Sequence, residues 1–110
     1  MTDHRLDVLA ALADEVTART TASPDTSYTA KLFSQGVEKC AKKFGEEAVE
    51  LALAAVLRDK VHTTAEAADV LYHLLVLLAA TGVSPSDVMA ELACRQGVSG
   101  IAEKASRLKD

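Results

Sequence analysis

Glu47 and Glu50, and again Glu66 and Asp69, stand three residues apart inside stretches that are otherwise rich in Ala, Val and Leu. On a helix that spacing stacks side chains on one face, roughly 5–6 Å apart. A fold that accepts this sequence must either solvate two acidic helix faces separately or bring four carboxylates together. Carboxylates that close repel one another; when partly buried they protonate or take a counter-cation, and a set made only of oxygens suits a hard ion such as magnesium. Either pair alone is commonplace, because Glu is a good helix former. Both together, embedded in apolar sequence on successive helices, favour the shared site.

Apolar positions recur at steps of three and four along most of the chain. Leu6, Leu9, Ala13 and Val16 describe a first amphipathic helix from about Asp3 to Thr20. A hydroxyl-rich segment around Pro24 opposes its continuation, and Ser27 or Thr29 is placed to cap the next helical segment. Tyr28 to Gln35 reads as a short helical turn closed by Gly36. Val37, Ala41, Phe44, Ala48, Leu51 and Ala55 then mark a helix from about Val37 to Leu57. Gly45 lies inside it at a cost of roughly 1 kcal/mol relative to Ala, which predicts a close approach at that point. Beyond Arg58-Asp59-Lys60, Thr63 or Thr64 is the expected cap of a helix reaching about Ala80, with Glu66 in its first turn. Gly82, Ser84 and Pro85 predict a stop, a cap and a first helical position for a helix over about Pro85 to Gln96. After Gly97-Val98-Ser99-Gly100, the residues Ile101, Ala105 and Leu108 mark a short final amphipathic segment.

At 110 residues the chain suits one domain, 1–110, with 95–110 as an extension of it. Hydrophobic residues make up 49% but aromatic ones only 4%, a balance that suits close-packed helices, so the expected fold is all-α, a bundle of four to five helices. Val70, Leu71 and Leu74 to Leu78 leave the second half of the third long helix without a polar face. Such a helix is buried on all sides. A chain this short achieves that best by pairing, which predicts a homodimer. The net charge of −4 offers no positive field for a nucleic-acid backbone, so nucleic acid is not an expected partner. Cys40 and Cys94 lie far apart and read as reduced, structural thiols. The start of the chain lacks a signal-peptide core, and the unbroken apolar run Leu74 to Ala80 is seven residues against the roughly 20 that cross a bilayer. No membrane partner is expected, and the predicted location is cytoplasmic.

Three segments, Ser27-Tyr28-Thr29-Ala30-Lys31-Leu32-Phe33, Lys43 to Glu50, and Glu66 to Leu78 with its Leu71-Tyr72-His73-Leu74-Leu75, together closely resemble the phosphoribosyl-ATP pyrophosphatases. These enzymes belong to the MazG-like, all-α nucleoside triphosphate pyrophosphohydrolases. The Glu-Glu-x-x-Glu and Glu-x-x-Asp patterns resemble the magnesium signature of that superfamily; Ser27 to Phe33 and Leu71 to Leu75 narrow the likeness to the one family. The resemblance covers most of residues 5 to 107. It implies magnesium-dependent hydrolysis of phosphoribosyl-ATP to phosphoribosyl-AMP and pyrophosphate, the second step of L-histidine biosynthesis. No second domain or zinc-type Cys/His set accompanies it, so the cyclohydrolase fused to some family members is not expected.

Glu47, Glu50, Glu66 and Asp69 are the expected metal ligands, leaving positions for phosphate and water. Glu46 remains as the candidate general base, orienting the attacking water or supporting a ligand. Lys31, Lys42 and Lys43 are the nearest cations, and the resemblance favours Lys31 and Lys43 as phosphate partners. Tyr28, Thr29, Tyr72 and His73 are candidate substrate contacts, although a Tyr and a His on an apolar helix also serve as packing residues. Two rival functions remain at this point. One is a house-cleaning pyrophosphohydrolase acting on another nucleoside triphosphate; the other is a non-enzymatic helical dimerisation module. A di-iron bundle is disfavoured, because neither acidic pair supplies a histidine at Glu-x-x-His spacing.

Overall fold

The computed structural model describes residues 4–97 and 99–108. Among these every element is a helix: α1 (Asp7–Arg19), α2 (Tyr28–Ser34), α3 (Val37–Val56), α4 (Lys60–Thr81), α5 (Pro85–Arg95) and α6 (Gly100–Leu108). The count exceeds the expected four to five because both short segments, α2 and α6, complete regular turns. The expected start of the first helix at Asp3 lies outside the described residues. A 3₁₀ turn at His4–Leu6 leads into α1 at Asp7.

Each junction has a local cause. Ser27 caps α2, its extended backbone letting Oγ accept from the Ala30 N–H at 3.2 Å. Gly36, at φ 92°, takes the turn into α3 that a side chain would resist. At the end of α3, Arg58 occupies the left-handed region at φ 58°. Its N–H donates to the Ala55 carbonyl and that of Asp59 to Ala54, the paired bonds of a Schellman stop. Asp59 then caps α4 by accepting the His62 N–H at 3.0 Å. This corrects the expected caps. Thr63 and Thr64 already lie inside α4, with their hydroxyls donating back to the Asp59 and Lys60 carbonyls, so Glu66 sits in the second turn. At the other end, Gly82 (φ 75°) repeats the Schellman stop, and Ser84 caps α5 with Pro85 at its first position, as the sequence predicts.

The hairpin of α3 and α4 is the main packing unit, and α1 and α2 lie against α4. The core gathers Val16, Leu32, Cys40, Leu75 and Val76, with Leu9, Leu12, Ala13, Tyr72 and Leu77 around it. Cys40 donates its thiol to the Leu32 carbonyl at 3.3 Å, and burial pushes its pKa up, as suits a structural thiol. The enclosure expected for α4 is only half present in one chain. His73, Leu75 and Val76 are buried, but Leu74, Leu77 and Leu78 are half-buried and Leu71 is exposed. As a whole helix of 22 residues, α4 has the length and apolar composition to cross a membrane, which the seven-residue run did not suggest. Core helices share that property, and α4 carries Glu66, Asp69 and His73 with three helices packed along it.

Candidate active site

The turn between α3 and α4 sets the register of the acidic residues. In an antiparallel hairpin, positions equally far from the turn face each other. Glu50 and Glu66 each lie eight residues from Arg58, and Glu47 and Asp69 each lie eleven. The i,i+3 spacing within each helix turns all four toward the facing helix. As a result, one carboxylate oxygen from each of Glu47, Glu66 and Asp69 falls within 4.8 Å of the others. Glu50 joins them by contact with the Glu66 carboxyl.

Glu66 is the most strained member electrostatically. Its Oε2 is shut off from solvent and has no hydrogen-bond partner. Partial burial, then Glu50, and then Asp69 and Glu47 raise its pKa above the ordinary glutamate range. A carboxylate with one buried, donorless oxygen, set among further carboxylates, is a donor set for a hard cation, so these residues fit magnesium.

Glu46 lies outside this group. It is exposed and pairs with Lys43, Nζ to Oε2 at 3.5 Å. Tyr28 and then Glu46 raise the Lys43 pKa, which holds that ammonium charged beside the cluster. Lys31 and Lys42 are exposed on α2 and α3. Gly45 is exposed too, and a Cβ there would meet nothing within 4 Å, so the close approach predicted from its sequence position is absent within one chain.

The aromatic candidates do converge. The rings of Tyr28 and Tyr72 are near-parallel, 17° apart with centroids at 6.3 Å, and His73 presents an edge to each. Tyr28 is exposed. Thr29 and His73, at 4% and 6% exposure, are buried. The Thr29 hydroxyl bonds the Tyr72 hydroxyl, while His73 Nδ1 lies 2.9 Å from the Asp69 carbonyl. A carbonyl only accepts, so Nδ1 donates, while Nε2 is buried without a partner. Thr29 therefore positions Tyr72, and His73 ties the aromatic cluster to the backbone of Asp69.

A cleft of about 240 Å³ opens beside the tyrosines, between α1, the loop before α2, and α4. Arg19 is among its walls, a residue that no motif in the sequence singles out; its i,i+4 spacing from Glu15 is that of an ordinary surface pair.

Residues 9–96 match the family model described as phosphoribosyl-ATP pyrophosphohydrolase. The phosphoribosyl-ATP pyrophosphatase of Dinoroseobacter shibae is 59% identical over 102 residues, covering 93% of this chain and 100% of the relative. That of Cereibacter sphaeroides is 60% identical over 93% of this chain and 99% of its own length. The Ruegeria pomeroyi protein of the same name is 57% identical over 94% and 99%.

Proposed function

The chain belongs to the phosphoribosyl-ATP pyrophosphohydrolase family, and from that premise we propose how its helices carry out the family's reaction. It is a hydrolase, acting at the histidine-biosynthesis step that converts phosphoribosyl-ATP to phosphoribosyl-AMP and pyrophosphate. The observation that carries the mechanistic reading is the convergence of carboxylate oxygens from Glu47, Glu66 and Asp69 within 4.8 Å, on a Glu66 that also has a buried, partnerless oxygen.

Glu47, Glu66 and Asp69, with Glu50 against Glu66, would hold magnesium. When bound, the ion neutralises phosphate charge and lowers the pKa of a coordinated water. Lys43, kept protonated by Tyr28 and Glu46, offers a point charge to the phosphate chain, and Lys31 lies on the neighbouring α2 as a second. Glu46 takes the role of general base, accepting the proton of the attacking water, with Lys43 orienting its carboxylate. Tyr28 and Tyr72 supply aromatic surface for the nucleoside.

The active unit is a homodimer in this proposal. A compact chain of this mass exposes about 5,800 Å² and has a radius of gyration near 13 Å; this chain exposes 8121 Å² and measures 16.0 Å. Val49, Leu53, Val56 and Leu57 form an exposed apolar stripe on α3, which a second copy would cover. The two thiols are free and the net charge is acidic, which supports a cytoplasmic enzyme without a nucleic-acid partner.

The test is pyrophosphate release from phosphoribosyl-ATP with and without magnesium. Magnesium-dependent release is expected, and Glu47→Gln should abolish it while the protein stays folded. Glu46→Gln should lower kcat with little change in the magnesium concentration needed for half-maximal rate; equal losses in both would remove Glu46 from the role of base.

A further inference from the structure

The substrate named by the family is ATP carrying a second ribose 5-phosphate, so it has two anionic ends. The acidic cluster with Lys43 accounts for the triphosphate. It leaves unexplained how the enzyme would hold the other phosphate, the group that distinguishes this substrate from ATP itself.

We propose that the cleft walled by Arg19, Thr26, Tyr28 and Tyr72 is the subsite for the phosphoribosyl end of the substrate, with the Arg19 guanidinium as the ligand of its 5-phosphate. This rests on the functional reading above. The cleft lies toward the acidic end of the bundle: Tyr28 and Tyr72 in its wall both pack against His73, whose Nδ1 is bonded to the carbonyl of Asp69. Its volume of about 240 Å³ admits a sugar phosphate rather than a whole nucleotide, and two tyrosines at its mouth offer the flat surfaces that a ribose or base packs upon. A second cleft of about 260 Å³, on the side of Phe33, Leu75 and Pro85, has no ionisable residue in its wall and cannot select a phosphate by charge.

Arg19 is the one cation lining the first cleft among the described residues. Glu15, which also lines it, accepts from Arg19 Nε at 3.0 Å and from Nη2 at 2.9 Å, both through Oε1. That pair consumes two of five guanidinium protons and leaves three for an anion. Glu15 therefore holds the fork in place, at the cost of a carboxylate near the incoming phosphate. Arginine suits the task because its planar fork matches phosphate oxygens two at a time.

The experiment compares the dimeric wild-type enzyme with Arg19→Met and Arg19→Lys. Wild-type pyrophosphate release from phosphoribosyl-ATP is measured first; its absence overturns the functional reading, and the subsite with it. Given release, Arg19→Met should lower kcat/KM on the order of 10- to 100-fold, chiefly through KM, the size of a lost charged hydrogen bond. It should weaken inhibition by the product phosphoribosyl-AMP by a similar factor and leave inhibition by magnesium pyrophosphate, which shares only the other end, unchanged. Arg19→Lys should recover part of the loss. Unchanged phosphoribosyl-AMP inhibition in Arg19→Met, or equal weakening of pyrophosphate inhibition, overturns the subsite while the function stands.

Discussion

The two halves of α4 follow opposite rules. From Leu74 onward its side chains pack against α1 and α2, and Val76 is 1% exposed inside the core. From Glu66 to Asp69 the same helix holds carboxylates against those of α3, with one oxygen buried and unpartnered. The first arrangement stabilises the fold and has no evident chemistry; the second opposes folding unless a cation offsets the repulsion. One continuous helix thus lets a well-packed segment hold an unfavourable one in position, which is how pre-organised sites generally persist. Changes in the two halves should separate stability from activity.

Glu66→Gln should break the comparison at its polar end and has the largest expected effect. Loss of a proposed metal ligand should lower kcat by more than the roughly 10- to 100-fold typical of groups that merely support ligands. The same change should raise the melting temperature of the metal-free protein, because it removes the charge that burial, Glu50, Asp69 and Glu47 disfavour. The pH dependence has a definite sign. The folded pKa of Glu66 lies above its unfolded value, so its stability contribution is present below the ordinary glutamate pKa of about 4.3 and is lost as pH rises through the raised one. The metal-free melting temperature should fall across that interval in the wild type, more weakly in Glu66→Gln, and saturating magnesium should suppress the fall. Asp59 runs the other way. The His62 N–H depresses its pKa, so the cap it provides is lost as pH falls through that lower value. A glutamine variant no more stable than wild type without metal would show that the cluster carries no stored repulsion.

Val76→Ala tests the apolar half. Removing two methylene equivalents from a position 1% exposed should cost about 2–3 kcal/mol, transfer and cavity terms together. Urea unfolding should show it as a shifted midpoint at constant slope, with kcat per folded molecule nearly unchanged below the transition. A large loss of kcat in fully folded protein would mean that packing at Val76 tunes the carboxylates directly and that the halves are not separable.

The sequence showed the polar half more clearly than the apolar one. The i,i+3 acidic pairs could be placed on two helices because each interrupts a strong apolar period, and Ser84, Pro85 and Gly82 announced their junction through well-defined backbone roles. The Thr63 and Thr64 caps failed because Asp59, four residues upstream of Thr63, competes for the same role and is the better acceptor. Thr29 and His73, candidate substrate contacts from the sequence, are both buried; the Thr29 hydroxyl bonds Tyr72 and His73 Nδ1 bonds the Asp69 carbonyl, whereas His73 Nε2 has no partner. Glu46 adjoins Glu47 in sequence but lies outside the i,i+3 pairing, and its helical phase carries it toward Lys43. Arg19 was invisible because its cleft is made by segments that meet only in three dimensions.

The smallest expected effect lies at the point that sets the register for both halves. Arg58 sits midway between the facing carboxylates and adopts φ 58°, where a side chain costs roughly 1–2 kcal/mol and glycine costs little. Glycine also enlarges the conformational freedom of the unfolded chain, which takes back about 0.4–1 kcal/mol. Arg58→Gly should therefore stabilise the protein by about 0–1.6 kcal/mol in chemical denaturation, with kcat and magnesium dependence unchanged, because the Schellman bonds from residues 58 and 59 are made by the backbone alone. The alternative is that the arginine side chain itself holds the turn. A destabilised glycine variant with weakened magnesium dependence would establish that, and the facing of Glu50 on Glu66 would then depend on a side-chain contact at the turn instead of on its backbone geometry.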